Sequence, residues 1–388
     1  MGLARIRPAA ESRTDVPAGL EGVVVAETTV GDVRGQEGFF HYRQYSAVDL
    51  AQQCSLENVW HLLFKGELPD AAASASFASE VRARRNLPPG LAALLPALAA
   101  QGAPLDVLRS AVSVLGAELG WRPTHDVSAG ELYDQALGLC AVVPTILASA
   151  YRLREGLDVV APRADLDFAA NYLYMLTGEL PSPEHARAVE QYMILTIDHG
   201  FNASTFTARV ITSTGADLAA AIVGAIGALS GPLHGGAPSR ALDMLDAIGT
   251  ADRAEAYIRR AVEDGERIMG FGHRVYKTDD PRSLLLRQVT ERLGGPLVAF
   301  SQEVERTTVD VLAELKPGRQ LYTNVEFYAG VVMHTCGIPR HMFTPTFAAG
   351  RTIGWSTHVM EQASHNRLIR PAARYVGPPP PQPVPQAS

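Results

Sequence analysis

The sequence predicts a mainly α-helical fold with a small β-element near its N-terminus. Three observations carry this reading. Most of the chain places apolar residues three and four positions apart; these stretches open at Ser or Asp and close at Gly or Pro; strand-like runs are few and short. Taken in order, residues 22–29 and 39–45 read as two strands flanking a Gly-containing turn region, hence one hairpin. Ser46-Ala-Val-Asp-Leu-Ala-Gln-Gln reads as a capped helix start. Ser55-Leu-Glu-Asn-Val-Trp-His-Leu-Leu-Phe continues at helical spacing until Gly66 and Pro69 close it. Residues 130–152, 182–198, 216–229, 253–269, 281–293 and 304–315 follow the same pattern. In Gly224-Ala-Ile-Gly-Ala-Leu-Ser-Gly231, small residues flatten one helix face, which favours tight packing within a subunit or across a dimer. The segment is no dinucleotide fingerprint, since it lacks the GxGxxG spacing and a preceding strand. Residues 1–18 have no periodicity, and GPPPPQPVPQAS at 377–388 favours polyproline II or disorder.

Composition narrows the class. The chain has 388 residues, 47% apolar and 19% charged, which gives ample material for a large core. A formal net charge of -7 leaves no basic footprint for nucleic acid, so any anionic substrate must be held by local cations. Cys54, Cys140 and Cys336 are sparse and odd in number, a poor disulfide framework that fits a reducing cytoplasm. The first residues develop no apolar signal core, and Leu218–Leu229 is too short to span a bilayer, so neither secretion nor a membrane is expected.

Three segments carry chemistry. Ser230-Gly-Pro-Leu-His-Gly-Gly-Ala places His234 at a turn where glycines let a ligand approach; a purely structural turn would look the same. Met269-Gly-Phe-Gly-His-Arg-Val-Tyr-Lys-Thr-Asp-Asp-Pro-Arg gathers His273, Arg274, Lys277 and Arg282 behind two glycines. That composition suits a phosphorylated or carboxylated ligand, or a solvated basic loop. Asp279-Asp280-Pro281 reads as an N-cap and first turn. Asn324-Val-Glu-Phe-Tyr-Ala-Gly sets Glu326 among apolar and aromatic residues, where desolvation would raise its pKa toward that of a useful base; a core-edge Glu paired with an arginine is the alternative. Arg351 and Arg370 are each able to clamp a carboxylate or to serve a structural ion pair. Such a set suits carbanion chemistry next to a thioester: a base for the α-proton, a donor for the enolate oxygen, a second donor for an accepting ketone, and arginines for carboxylates. Acyl transfer or lyase chemistry could use the same groups. The histidines show no metal-ligand spacing.

GPLHGGA, GFGHRVYKTDDPR and NVEFYAG resemble the citrate synthase family, as do HYRQY at 41–45, FKGELP at 64–69, HGFNASTF at 199–206 and residues 347–355. The likeness runs from residue 19 to residue 377. It implies a multi-helical fold with a large domain (19–236 and 335–376) and a small domain (237–334), the short hairpin lying near the start. It implies condensation of acetyl-CoA with oxaloacetate and water to citrate and CoA. His234 would hold the acetyl-CoA carbonyl, Glu326 would be the base, and His273 would polarise the oxaloacetate ketone. His199, Arg282 and Arg351 would bind oxaloacetate, with Arg370 reaching in from the other subunit of a homodimer. Gly270, Phe271, Gly272, Arg274, Val275, Lys277 and Asn324 would serve CoA. Acetyl-CoA would be a co-substrate, with no permanently bound cofactor. The family's base is usually aspartate; Glu326 adds a methylene and shifts the carboxylate by about an ångström, which the backbone is expected to absorb. Gln44 also stands where the family has glycine. A 2-methylcitrate synthase using propionyl-CoA, and a weakly active CoA-binding regulatory homologue, are the alternatives.

Overall fold

The computed structural model describes residues 16–235, 237–273, 275–318 and 321–384. Among them lie sixteen α-helices and one three-stranded antiparallel sheet, in the order β1 (Gly31–Arg34), β2 (Phe39–Tyr42) and β3 (Tyr45–Ser46). The hairpin is present, but its first strand is not residues 22–29. Those residues form no strand, and Val24 there is 88% exposed. Valines supply β-propensity, but a strand also needs a pairing partner, and the short turn between Arg34 and Phe39 pairs Gly31 with Tyr42 instead. The alternation along β2 buries Phe40 and Tyr42.

The helices are α1 (Ala47–Gln53), α2 (Leu56–Lys65), α3 (Ala71–Ala83), α4 (Pro89–Ala99), α5 (Pro104–Glu118), α6 (Ala129–Arg154), α7 (Phe168–Thr177) and α8 (Pro183–Thr196). They continue as α9 (Ala203–Ser213), α10 (Leu218–Leu229), α11 (Ala237–Ile248), α12 (Ala254–Glu263), α13 (Pro281–Leu293), α14 (Pro296–Leu315), α15 (Val325–Thr335) and α16 (Phe343–Ser364). The caps follow the sequence signals: Ser46, Ser55, Ser182 and Asp280 each accept a backbone N–H of the first turn, and Gly66 closes α2 at φ 92°. Two boundaries differ. The helix expected over 253–269 stops at Glu263, because Gly265 steps to φ 75°. The one expected from residue 304 begins earlier, at Pro296, which takes the first helical position where its missing N–H costs nothing.

The core is built where α16 packs on α6, α8, α9 and α10. By length and composition α6 could cross a membrane, but 83% of its most apolar window is buried inside the protein, as for a core helix. The small-residue face of α10 does pack tightly within the subunit: a Cβ on Gly224 would lie 2.2 Å from Ile211 Cδ1 on α9, whereas Gly227 faces open space. Gly354 plays the same part for α16, since a Cβ there would meet the Ile197 carbonyl at 2.0 Å. This close approach brings α16 against the end of α8, where the first site residues lie.

Candidate active site

The chain leaves α8 into a turn carrying Asp198 and His199, and α9 begins at Ala203. His199 Nε2 lies 3.0 Å from the Tyr276 hydroxyl, and its ring centroid is 5.8 Å from that of His273. Burial, then the charge of Arg282, keeps His199 well below its ordinary pKa, so the ring is neutral.

His273 sits in the irregular segment between α12 and α13. Its Nδ1 accepts the backbone N–H of Val275 and of Tyr276, each at 3.0 Å. Nδ1 therefore bears a lone pair, and the proton of the neutral ring is on Nε2. Burial followed by the Arg282 charge lowers its pKa to about 4. Arg282 NH2 stands 3.2 Å from that same Nε2. Two donors cannot bond each other, so this close pair would be satisfied by an acceptor oxygen placed against both. Arg282 itself is buried and held bidentately by Asp280, with Nε to Oδ1 at 3.0 Å and NH2 to Oδ2 at 2.8 Å. Burial alone would weaken its proton affinity, but the ion pair with Asp280 more than offsets that and raises its pKa.

Arg351 projects from α16. It is 2% exposed, its Nε donates to the Thr196 carbonyl at 2.7 Å, and its guanidinium lies over the Phe347 ring. No carboxylate forms an ion pair with it among the described residues. Burial lowers its pKa to about 10, against the raising influence of Asp198 and Tyr42, so it stays charged at neutral pH. A buried cation without a paired anion is costly unless a ligand supplies one.

His234 lies in the turn after α10, where Gly235 is pressed against the Leu229 carbonyl; a Cβ there would be 2.2 Å from that oxygen. Its Nε2 is 2.8 Å from Ser204 Oγ, which also accepts the Trp355 indole N–H at 3.1 Å. The one hydroxyl proton of Ser204 has two targets at 2.8 Å, His234 Nε2 and Asn202 Oδ1. Burial, then the Arg351 charge, takes His234 to about 4.

Glu326 occupies the first turn of α15, its N–H capped by Asn324 at 3.0 Å. Burial raises its carboxyl to about 7, opposed by the charges of Arg282 and Arg267. Asn324 also donates Nδ2–H to the Gly272 carbonyl, while Gly272 N–H bonds the Tyr322 carbonyl and Asn324 N–H the Gly270 carbonyl. Residues 270–272 and 322–324 are thereby stitched together, with Phe271 bridged to Thr323. Asn324 and the Gly270 and Gly272 backbones are thus engaged with the protein. Gly270, at φ 83°, presses on Phe327, and Phe271 meets that ring edge to face.

The structure thus gathers His199, His273 and Arg282 directly, and sets His234, Arg351 and Glu326 within electrostatic reach of them. Val275 and Lys277 are exposed on the same segment. Arg274 lies outside the described residues. Arg370 is exposed in the irregular chain after α16, away from these bonds. Sequence reasoning missed two tyrosines. Tyr276 touches His199, His273 and Arg282 at once, and its place inside the histidine-arginine segment was the available signal. Tyr192 is buried with an unpartnered hydroxyl within reach of Arg351 and Glu326, and looks in the sequence like any apolar residue of α8.

Neutral histidines, a carboxyl poised near neutrality and buried arginines together make a site suited to acid–base chemistry on a carboxylate-bearing substrate. The family model "Citrate synthase, C-terminal domain" matches residues 19–372. A citrate synthase from Deinococcus radiodurans is 40% identical over 94% of this chain and 96% of its own length. A 2-methylcitrate synthase from Mycobacterium tuberculosis is 41% identical over 95% and 93%. The ternary complex of a citrate synthase from Thermoplasma acidophilum with carboxymethyl coenzyme A and oxaloacetate is similar at TM-score 0.88 and 28% identity, over 96% of this chain and 99% of that one. The chain belongs to the citrate synthase family, a family of acyltransferases.

Proposed function

We propose that this enzyme condenses acetyl-CoA with oxaloacetate and water, releasing citrate and CoA. The observation that carries the reading is Arg351, a buried charge in no ion pair among the described residues, beside the Asp280–Arg282 clamp and two neutral histidines. In this reading, oxaloacetate carboxylates meet Arg351, Arg282 and His199, and its ketone oxygen takes the His273 Nε2–H. Ionised Glu326 removes a methyl proton from acetyl-CoA. His234 donates from Nδ1 to the thioester oxygen when the Ser204 hydroxyl proton turns onto Nε2, which stabilises the enol without a charged imidazole. The enol carbon attacks the ketone, the new alkoxide takes the His273 proton, and water then cleaves the thioester to give the carboxylic acid and CoA.

Gly270, Phe271, Gly272, Arg274, Val275, Lys277 and Asn324 form the CoA side in the same reading, the stitched backbone supplying shape more than free donors. Residues 237–334 act as a smaller domain closing on residues 19–236 and 335–376 to exclude water. The enzyme works as a cytoplasmic homodimer, with Arg370 serving the other subunit; its exposure and three free cysteines support this. The 41% identity to a 2-methylcitrate synthase favours one second reading, propionyl-CoA as the acyl donor, since one methylene changes discrimination by only about 1–3 kcal/mol.

The test is oxaloacetate-dependent CoA release, followed with a thiol reagent, for both acyl-CoAs. Faster release with acetyl-CoA supports the proposal, and a propionyl-CoA preference moves it to the second reading. Silence with both leaves a CoA-binding regulatory homologue. Arg370→Ala is expected to raise the KM for oxaloacetate; no change removes the cross-subunit role.

A further inference from the structure

One chain of polar side chains, half-buried at Glu361 and buried beyond it, remains outside the groups assigned above, and it ends beside His199. It begins at Glu361 on α16, whose carboxylate accepts Thr28 Oγ1–H and Thr29 N–H, each at 2.7 Å, and pairs with Arg209 of α9. Arg209, 2% exposed, reaches His358 Nδ1 with Nε at 3.0 Å and NH2 at 2.8 Å, and Gln362 Oε1 with NH1 at 3.2 Å. His358, 1% exposed, lies two helical turns beyond Arg351, and its Nε2 is 3.0 Å from Asp198 Oδ1. Asp198 Oδ2 accepts the Gly200 N–H at 3.1 Å.

The proton positions follow from the donors. A guanidinium has only donors, so His358 Nδ1 carries a lone pair and Nε2 carries the hydrogen, aimed at Asp198. Burial pushes the Asp198 carboxyl up, but the contact with His358 and the nearby Arg351 charge outweigh it and hold it below its ordinary value. Asp198 therefore accepts from both sides of the turn that carries His199. The backbone is held as well: the Tyr42 hydroxyl donates to the Ile194 carbonyl at 2.8 Å and accepts the Asp198 N–H at 3.3 Å. Gly200, at φ 62°, completes a turn with its bonds committed on each side of the histidine.

We infer that Glu361, Arg209, His358 and Asp198 form a positioning chain for His199, with His358 and Asp198 its positioning residues, set to hold the His199 ring where a dicarboxylate 2-oxo acid docks. The inference rests on the reading above that His199 receives oxaloacetate. A generic buried network would support the fold as a whole and would not distinguish one substrate from the other.

The experiment is calorimetric titration of the full chain with oxaloacetate, joined to steady-state kinetics for both substrates. Asp198→Asn keeps the volume, but an amide offers one acceptor and one donor where His358 and Gly200 both donate. Its oxaloacetate Kd and KM are expected to weaken about 5- to 20-fold, the scale of one charge-assisted hydrogen bond, with the acetyl-CoA KM held within about twofold. His358→Leu gives the same split, and His358→Gln, which accepts and donates, recovers part of it. Glu361→Gln, at the chain's more accessible end, shows the split at about 2- to 5-fold whether or not the buried variants fold. Unchanged oxaloacetate binding in Asp198→Asn and Glu361→Gln, or equal losses for the two substrates, overturns the inference. A wild-type chain that binds oxaloacetate without releasing CoA overturns the condensation reading alone, and one that does not bind oxaloacetate overturns both.

Discussion

Raising the pH from 6 to 8 is expected to raise kcat/KM for acetyl-CoA about tenfold, because only the ionised Glu326 can take the methyl proton. The magnitude follows from its carboxyl, lifted to about 7 by burial against the charges of Arg282 and Arg267. A base titrating there is roughly one-tenth ionised at pH 6 and nine-tenths at pH 8, whereas an ordinary carboxyl would be ionised throughout. His234 and His273, both lowered to about 4, stay neutral across the range and add no limb of their own. Bound oxaloacetate brings negative charge to the arginines that now favour ionised Glu326, so at saturating oxaloacetate the limb moves upward and about tenfold becomes the lower bound of the rise from pH 6 to 8. The assay is thiol-detected CoA release at saturating oxaloacetate, with acetyl-CoA varied from pH 5.5 to 9. A profile flat from pH 5.5 to 8 would refute the reasoning and take Glu326 out of the base role.

Further outcomes follow from the same geometry. Glu326→Gln should abolish condensation yet stabilise the fold at pH 8. A carboxyl raised on folding binds more protons folded than unfolded, so wild-type stability falls as pH climbs from its ordinary 4.5 to about 7. The cost approaches about 3 kcal/mol above pH 7 and vanishes below the unfolded pKa, and urea melts at pH 8 and pH 4 would expose a missing difference. Arg351→Lys keeps the charge and loses the two-pronged guanidinium, so oxaloacetate Kd by calorimetry should weaken about 10- to 100-fold; an unchanged Kd would place the carboxylate elsewhere. Gly35 lies against residue 275, where a Cβ would come within 2.2 Å of the Val275 carbonyl, and its own carbonyl accepts the Lys277 N–H. Gly35→Ala should therefore displace the 275–278 segment and raise the acetyl-CoA KM about 3- to 10-fold, which ordinary kinetics will deny or support.

How much of this was legible in the sequence depended on whether the signal was local. Ser46, Ser55, Ser182 and Asp280 cap helices through bonds within three residues, and all four are readable from the sequence. The strand expected at 22–29 failed because pairing is decided by a partner elsewhere in the chain, and Val23 to Val25 had none. The candidate site residues stood out because glycine-rich segments set titratable groups in unusual company. Arg351 was readable as a carboxylate clamp or a structural ion pair, and only packing against the end of α8 reveals that it forms no ion pair among the described residues. His358 and Asp198, 160 positions apart, meet only because α16 crosses beside that same end, so neither was visible as part of a site.

Asp280 has a consequence for protein engineering. One carboxylate caps the start of α13, grips Arg282 and accepts the Val325 N–H that opens α15 at 3.0 Å. The stitching of residues 270–272 to 322–324 adds a second tie between the same two stretches. A chimera that exchanges only one of them with a relative would sever a shared anchor and misalign both helix starts. The transplantable module is therefore discontinuous, residues 270–282 moved together with 322–327, and recombination libraries should place crossovers outside that pair and never between its halves.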